Sequence, residues 1–233
     1  MEEQWDVYLT DEVDQWLHDL EKADPVSYVL VNQAIWILAC HGPAEGRPLV
    51  DRIKGSTLHN LKELRPGSAG RSEVRVLFMF DPWRSAILLV AGDKAGNWTA
   101  WYDEAIPLAE LRYAEYVAER DEGVGEVSGY IKWSASGHRE RAEELAGDRD
   151  AFLEGAQRML TEARAWRLVD MRQERGFTQA QVAERMGVSK GRISQIESGQ
   201  VSGTDVVARY VEALGGSLVM VAVFGDGQLR KVG

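Results

Sequence analysis

The chain has 233 residues, 45% of them hydrophobic and 27% charged, with a formal net charge of −10. That length favours two domains over one at about 100–200 residues per domain, and the composition is that of a globular chain with a core. One cysteine, Cys40, excludes an intrachain disulfide, and no apolar run reaches the length of a membrane span.

The first 24 residues hold nine acidic side chains and one basic one. The opening "MEEQWDVYLTDEVDQ" therefore has no basic region ahead of an apolar stretch, no signal peptide is read, and a cytoplasmic location is expected. A short strand begins in "WDVYLT". Thr10 then caps a helix with Val13, Trp16, Leu17 and Leu20 on one face. Asp24 and Pro25 supply a cap and a first-turn proline for a second helix. Leu30, Ala34, Ile37 and Leu38 line its face, and it ends near His41 and Gly42. Cys40 falls in the apolar run of this helix, where a buried inert thiol is expected.

Beyond Gly42 the apolar period changes to two. "RPLVDRI", "HNLKELRP", "EVRVLFMF" and "SAILLVAG" read as four strands of an antiparallel sheet, with "DPWR" as a turn. In "EVRVLFMF", Val74, Val76, Phe78 and Phe80 share one face, and Glu73, Arg75, Leu77 and Met79 the other. "IPLAELRYAEYVAER" closes the region as a helix, with Ala109, Tyr113, Tyr116 and Val117 on one side. Residues 42–101 hold nine basic and six acidic side chains, a surplus that fits nucleic-acid contact or a solvated face equally.

"RDEGVGEVSG" (120–129) reads as a glycine-rich acidic linker. The stretch that follows, to about residue 160, reads as mainly helical and polar throughout. Next comes a set of short helices. In "LTEARAWRLVDMRQERG", Ala165, Leu168, Val169 and Arg172 form one face before the stop at Gly176. Thr178 and Gln181 form a capping box, and Gly187 follows the last apolar residue, Met186. Ser189 caps "KGRISQIES", which stops at Gly199, and "SGTD" (202–205) opens "VVARYVEALGG". "SLVMVAVFG" (217–225) reads as a strand, which could pair with its copy in a dimer or finish the core.

The helices on either side of Gly187 have helix-turn-helix spacing. A recognition helix enters the major groove by its N-terminus, so its early residues must be small or hydrogen-bonding. Here they are Ser189, Lys190, Gly191, Arg192, Ser194 and Gln195, with Ile193 and Ile196 pointing inward. Arginine can pair with guanine and glutamine with adenine. Thr178 and Gln179 begin the preceding helix, where free amides and side chains can clamp a phosphate. From about residue 162 to 215 the pattern closely resembles the XRE family of lambda-repressor-like helix-turn-helix domains. The resemblance implies sequence-specific DNA binding, usually as a dimer.

The earlier half carries a second resemblance. A strand, two helices, "LKELRP", "RVLFMFDP" and "GDKAGNW" in this order are similar to the RelE superfamily of bacterial toxins, HigB branch, over roughly residues 4 to 118. That resemblance implies a small α+β domain with a basic concave sheet face. It also implies a metal-independent endonuclease that cuts messenger RNA on the ribosome. Such a reaction needs a base, an acid and cations that hold the phosphorane charge. Arg75, Arg65, Lys62 and Lys94 are the candidate cations, and His59, Asp93 and Tyr102 the candidate proton carriers. Trp98 or Trp101 could stack on a base or pack against the closing helix. Arg65 and Arg75 fit a cross-strand charge ladder with Glu63 and Glu73 as well as they fit catalysis. Lys94 reads equally as a loop lysine, and His59 first as a turn residue. His18, His41, His59 and His138 show no metal-ligand spacing, so neither a metal nor a cofactor is expected.

The expected architecture is thus an α+β RelE-like domain, a helical hairpin packed on an antiparallel sheet, over residues 1–119. A linker and helical segment follow at 120–160, and an all-α helix-turn-helix domain with a C-terminal strand at 161–233. Toxins of this branch are commonly neutralised by an XRE-domain antitoxin, and here both lie on one chain. The expected partners are operator DNA, the ribosome with its messenger RNA, and a second copy of the chain, with no membrane. A transcription regulator whose toxin-like domain is inactive is the other expectation.

Overall fold

The computed structural model describes residues 4–67, 72–96, 98–121, 129–223 and 228–232. The chain divides into two compact units, Met1–Gln157 and Arg158–Gly233. Most of the linker "RDEGVGEVSG" lies outside the described residues.

The first unit opens with strand β1 (Asp6–Thr10) and helices α1 (Asp11–Ala23) and α2 (Pro25–His41). The caps are those the residues suggest. Thr10 Oγ1 accepts the Val13 N–H at 3.2 Å, and Asp24 Oδ1 accepts the Ser27 N–H at 3.0 Å. Twelve of the 17 residues of α2 are buried, so this helix sits inside the unit, Cys40 included. Strands β2 (Val50–Arg52), β3 (Lys62–Leu64), β4 (Val74–Phe80) and β5 (Ser85–Asp93) follow. They form the expected antiparallel run, with Glu63 opposite Leu77 and Arg75 opposite Gly92.

The sheet is wider than that run. Its six strands lie in the order β2-β3-β4-β5-β1-β6, and β1 enters parallel to β5. Strand β6 (Tyr130–Lys132) pairs antiparallel with the far side of β1. A segment read as mainly helical therefore begins with a strand. The physical reason is the free edge of β1: three residues satisfy its hydrogen bonds, and so short a strand leaves almost no periodic trace. Tyr130 also packs with the core and donates its hydroxyl proton to the Arg112 carbonyl at 2.9 Å.

Strand β4 is buried from Val74 to Met79, on both alternating faces. Leu77 and Met79 of β4, with Ile87 and Leu89 of β5, pack against Ala105, Ala109 and Tyr116 of helix α3 (Trp98–Asp121). This helix starts well before the expected "IPLAEL" and runs through Pro107. Proline costs an interior helix one hydrogen bond, but Trp101, Tyr102 and Ala105 pack on the sheet and hold the earlier turns in place.

Helix α4 (His138–Ala146) and the start of helix α5 (Arg149–Glu174) complete the first unit. Their apolar residues are few but deeply placed. Trp133 is 1% exposed and donates its indole N–H to Asn32 Oδ1 at 2.9 Å. Phe152 is fully buried, and its carbonyl accepts the Gln33 side-chain N–H at 3.0 Å.

The second unit contains the rest of α5, helices α6 (Gln179–Met186), α7 (Lys190–Glu197) and α8 (Thr204–Ala213), and a hairpin of β7 (Met220–Val223) with β8 (Leu229–Val232). Its core is Leu168, Val182, Ala183, Met186, Ile193, Ile196, Tyr210 and Leu214. Helix α8 begins with Gly203 at its N-cap and no side-chain cap, so the "SGTD" signature marks the place without supplying the bond. Among the described residues no helix is long and apolar enough to cross a membrane.

Candidate nucleic-acid interfaces

In the first unit, four of the candidate residues converge on two glutamates. Glu63, at the centre of β3, is 8% exposed. It accepts the Tyr102 hydroxyl proton at 2.5 Å, and it lies 3.7 Å from both Arg75 Nε and Arg65 Nε. Glu73, just before β4, lies 3.1 Å from Lys94 Nζ and 3.8 Å from Arg75 Nη2. Arg65 also reaches Asp51 at 3.3 Å. Lys94 is 2% exposed and Arg75 9%, whereas the Glu73 side chain is about half exposed, so the cluster opens to solvent at Glu73.

Alternation places Arg75 on the same face of β4 as Leu77, and helix α3 covers that face. Arg75 donates to its neighbour's carbonyl, Val74, at 2.6 Å, and among the described residues its buried Nε has no hydrogen-bond partner. The guanidinium is thus held between two carboxylates that balance its charge, while its Nε donor is left without a bond among the described residues. Burial, and next the bond to Glu63, push the Tyr102 hydroxyl well above the ordinary phenol range. Tyr102 therefore holds its proton at neutral pH and shares it with Glu63.

The approach of α3 depends on a glycine. A Cβ on Gly92 would lie 2.6 Å from the Trp101 indole nitrogen, so the absence of a side chain there admits Trp101 against β5. Trp101 meets Tyr102 edge-on at 4.9 Å between ring centroids. The Trp98 side chain lies outside the described residues.

Other candidates sit apart. Lys62 projects to the opposite face of β3, with its Nζ 5.9 Å from the Phe80 ring centroid. His59 is exposed in the loop ahead of β3. Asp93 accepts the backbone N–H groups of Glu73 at 2.7 Å and Ala95 at 2.9 Å, a turn-holding arrangement. Glu63, the hub, was read from the sequence only as a charge-ladder partner of Arg65 and Arg75, and the structure places both ion pairs, with Tyr102 added.

In the second unit, α6 and α7 meet through a tight turn. Thr178 and Gln181 complete a reciprocal capping box, and Gly187 closes α6 in the left-handed region at φ 65°. Ser189 Oγ accepts the Arg192 N–H at 3.1 Å and fixes the entry of α7. Ile193 and Ile196 are buried beneath it, while Ser189, Lys190, Gly191, Arg192, Ser194 and Gln195 are exposed on its outer side. Thr178 is exposed as well.

Gln179 is turned inward. Its amide donates to Glu197 at 2.9 Å, and Glu197 also takes two bonds from Arg172, at 2.6 and 3.0 Å, and one from the Tyr210 hydroxyl at 2.5 Å. Burial alone would raise the Glu197 carboxyl, but the bonds from Arg172, Gln179 and Tyr210 outweigh it and hold the group below the usual range. This one carboxylate ties α5, α6, α7 and α8 together and sets the angle at which α7 presents its outer face.

Comparison with known proteins divides along the same line. Residues 16–114 match the family described as "Phage derived protein Gp49-like (DUF891)", and residues 165–224 match a "Helix-turn-helix domain" family. "Putative toxin HigB2" of Mycobacterium tuberculosis (strain ATCC 25618 / H37Rv) is 54% identical over 107 residues, covering 46% of this chain and only 52% of that relative. "Putative toxin HigB3" of the same organism is 48% identical over 117 residues, covering 50% of this chain and 97% of HigB3. "Putative antitoxin HigA2", again of that organism, is 37% identical over 81 residues, covering 34% of this chain and 80% of HigA2. The chain belongs to the HigB–HigA toxin–antitoxin family, with a HigB-like toxin domain and a HigA-like helix-turn-helix DNA-binding domain fused on one polypeptide.

Proposed function

We propose that the chain is a self-neutralised toxin–antitoxin protein: a ribosome-dependent messenger RNA endonuclease whose own continuation holds it in check, and whose last domain represses the promoter it is made from. The observation that carries this reading is the seat of residues 130–157. Strand β6 extends the toxin-like sheet at β1, and Trp133 is buried against Asn32 of α2. Strand addition of this kind is a common way for one segment to block another protein's edge.

The strand order says how such a check works. Strand β6 lies beyond β1 and β5, at the far end of the sheet from Glu63 and Arg75. Neutralisation then proceeds by occupying an edge that the ribosome would need, rather than by plugging the cationic cluster. In that cluster, Arg75, Arg65 and Lys94 hold the RNA phosphate once it displaces Glu73. The ribose 2′-hydroxyl attacks that phosphate and gives its proton to Glu63. Tyr102 gives its own proton to the leaving 5′-oxygen and is reprotonated from Glu63. The reaction runs in the cytoplasm and draws on no cofactor.

On the DNA side, Arg192, Ser194 and Gln195 read base edges, and Lys190, Thr178 and the free amides of α6 hold phosphates. Gln179 positions Glu197 rather than the DNA. The exposed apolar residues Leu218, Val219, Met220, Val221 and Val232, in the β7–β8 hairpin and just ahead of it, support a homodimer, the form that suits two operator half-sites.

A second reading keeps the DNA-binding regulator and makes the toxin-like domain inactive. It is favoured by the carboxylates of Glu63 and Glu73 beside Arg75 and by the cover of α3. Messenger RNA in a translating extract separates the two. Residues 1–121 added alone should cleave ribosome-bound messages, and the intact chain should not. Intact messages with folded fragment present would leave the regulator as the function.

A further inference from the structure

Away from both interfaces, three side chains that share no motif come together. Asp14 and His18 stand one turn apart on α1, and His138 is the first residue of α4. Asp14 Oδ1 lies 3.0 Å from His138 Nε2, and Asp14 Oδ2 lies 3.6 Å from His18 Nε2. The two imidazole rings are 4.6 Å apart between centroids. One ligand atom from each of the three residues falls within 4.8 Å of the others, a spread that a single ion can draw together. The His138 side chain is 2% exposed, Asp14 17% and His18 46%, so the cluster is closed behind and open to solvent beside His18.

The far side of His138 is held as a ligand's would be. Its Nδ1 lies 2.8 Å from the Tyr28 hydroxyl, which also lies 3.1 Å from the His138 carbonyl. A hydroxyl has one proton. Without an ion, Nε2–H donates to Asp14 at 3.0 Å and Nδ1 accepts from the Tyr28 hydroxyl. An ion at Nε2 takes the place of that proton. Nδ1 then carries the ring N–H and donates it to Tyr28, whose own proton goes to the His138 carbonyl. An outer ring nitrogen fixed by oxygen and an inner one facing further donors is how metal-ligating histidines are oriented.

We propose that Asp14, His18 and His138 form a binding site for a divalent first-row transition ion of the zinc type, fastening α1 to α4. Two imidazoles and one carboxylate suit zinc and its neighbours and are a poor set for calcium or magnesium, which take oxygen ligands. The open side at His18 leaves room for a water in the fourth position. The pattern was hidden in the sequence because the third ligand is brought in by the β6–α4 segment, 120 residues after His18. Since α1 belongs to the HigB-like region and α4 to the segment docked on it, the ion strengthens that docking. The site itself depends only on the folded first unit and not on toxin activity.

The test uses the untagged full chain, freed of metal by chelator and dialysis. Zinc is titrated by calorimetry, and cobalt by its visible ligand-field bands. The wild-type chain should take up one zinc per chain and show the intense bands of tetrahedral cobalt. His18→Ala, at a half-exposed position, keeps the fold, as its circular dichroism would show, and should lose the bands and at least about tenfold in zinc affinity. Tyr28→Phe should weaken zinc by about 10-fold through loss of the outer-shell oxygen. Zinc should raise the melting temperature of the wild type and leave that of His18→Ala unchanged. Equal zinc affinity in wild type and His18→Ala, or no zinc bound by the wild type, would overturn the proposal and leave the cluster as a simple His138–Asp14 pair.

Discussion

Trp133 and Asn32, 101 residues apart in sequence, share a buried hydrogen bond of 2.9 Å that seats the segment after the linker on the toxin-like fold. Asn32 is itself held by its amide's bond to the Tyr28 carbonyl at 2.9 Å. The indole therefore meets a fixed acceptor, and the segment has one seat rather than a range of them. Replacing Trp133 by alanine removes a fully buried indole and orphans Asn32. A loss of about 3–5 kcal/mol is expected for such a core truncation. Chemical denaturation measures the loss. Hydrogen exchange should show Tyr130–Lys132 opening before the rest of the sheet.

Glu197 gives a pH prediction. Against the effect of burial, the bonds from Arg172, Gln179 and Tyr210 hold its folded carboxyl below the ordinary glutamate range. Its stabilisation is therefore present in and above that range and disappears as pH falls through the lower folded value. The second unit should melt progressively lower as pH drops from neutral into the acid range. Glu197→Gln should flatten that dependence. Glu197→Ala leaves the Arg172 guanidinium, 12% exposed, without its partner, and a cost of about 3–5 kcal/mol follows for a broken buried pair.

The outer face of α7 predicts two different responses to mutation. Arg192→Ala removes a base-edge contact, so binding to the cognate site should weaken by about 1–3 kcal/mol and specificity should relax at one base position. Lys190→Ala removes a phosphate contact, so binding should weaken on all sequences and the salt slope should fall by about 1. Gel-shift titrations at several salt concentrations distinguish them. Equal effects on specific and random DNA for both variants would mean α7 does not read bases.

In the β7–β8 hairpin, Met220→Lys together with Val221→Lys places charge on an exposed apolar stretch. Sedimentation should show the wild type as a dimer and the double variant as a monomer. A wild type already monomeric at micromolar concentration would remove the hairpin from any role in assembly.

What could be read in advance was local. Thr10, Asp24 with Pro25, Thr178 with Gln181, Gly187 and Ser189 each announce a helix boundary by chemistry that acts within four residues, and the structure places each boundary there. Strands β4 and β5 were legible as β-branched and apolar runs on either side of the "DPWR" turn, although both are buried on both faces. Strand β1 was read in "WDVYLT", but its place between β5 and β6 was not, because its partners lie 79 and more residues away and pairing at that distance leaves no periodic mark. The ladder of Glu63 with Arg65 and Arg75 was legible as one of two readings, but its bond to Tyr102 was not, because that follows from the cover of α3. Gln179 illustrates the reverse: its residue type suits a phosphate clamp, yet a buried carboxylate nearby claims its amide.

Within the cationic cluster, Arg75→Ala in the fragment of residues 1–121 should lower messenger RNA cleavage by about 100-fold, the scale for losing one transition-state donor. Lys62→Ala, on the opposite face of β3, should lower it far less. Comparable losses from both would show that the reaction does not take place at Glu63 and Arg75.

The most direct test of the central claim is growth arrest on induced expression in bacteria. Residues 1–121, the intact chain, and residues 1–121 with residues 129–233 supplied as a separate chain are compared at equal soluble expression. The account predicts arrest by the fragment alone, growth with the intact chain, and growth restored when the second piece is supplied. Normal growth with the soluble fragment alone would contradict a live toxin restrained in cis.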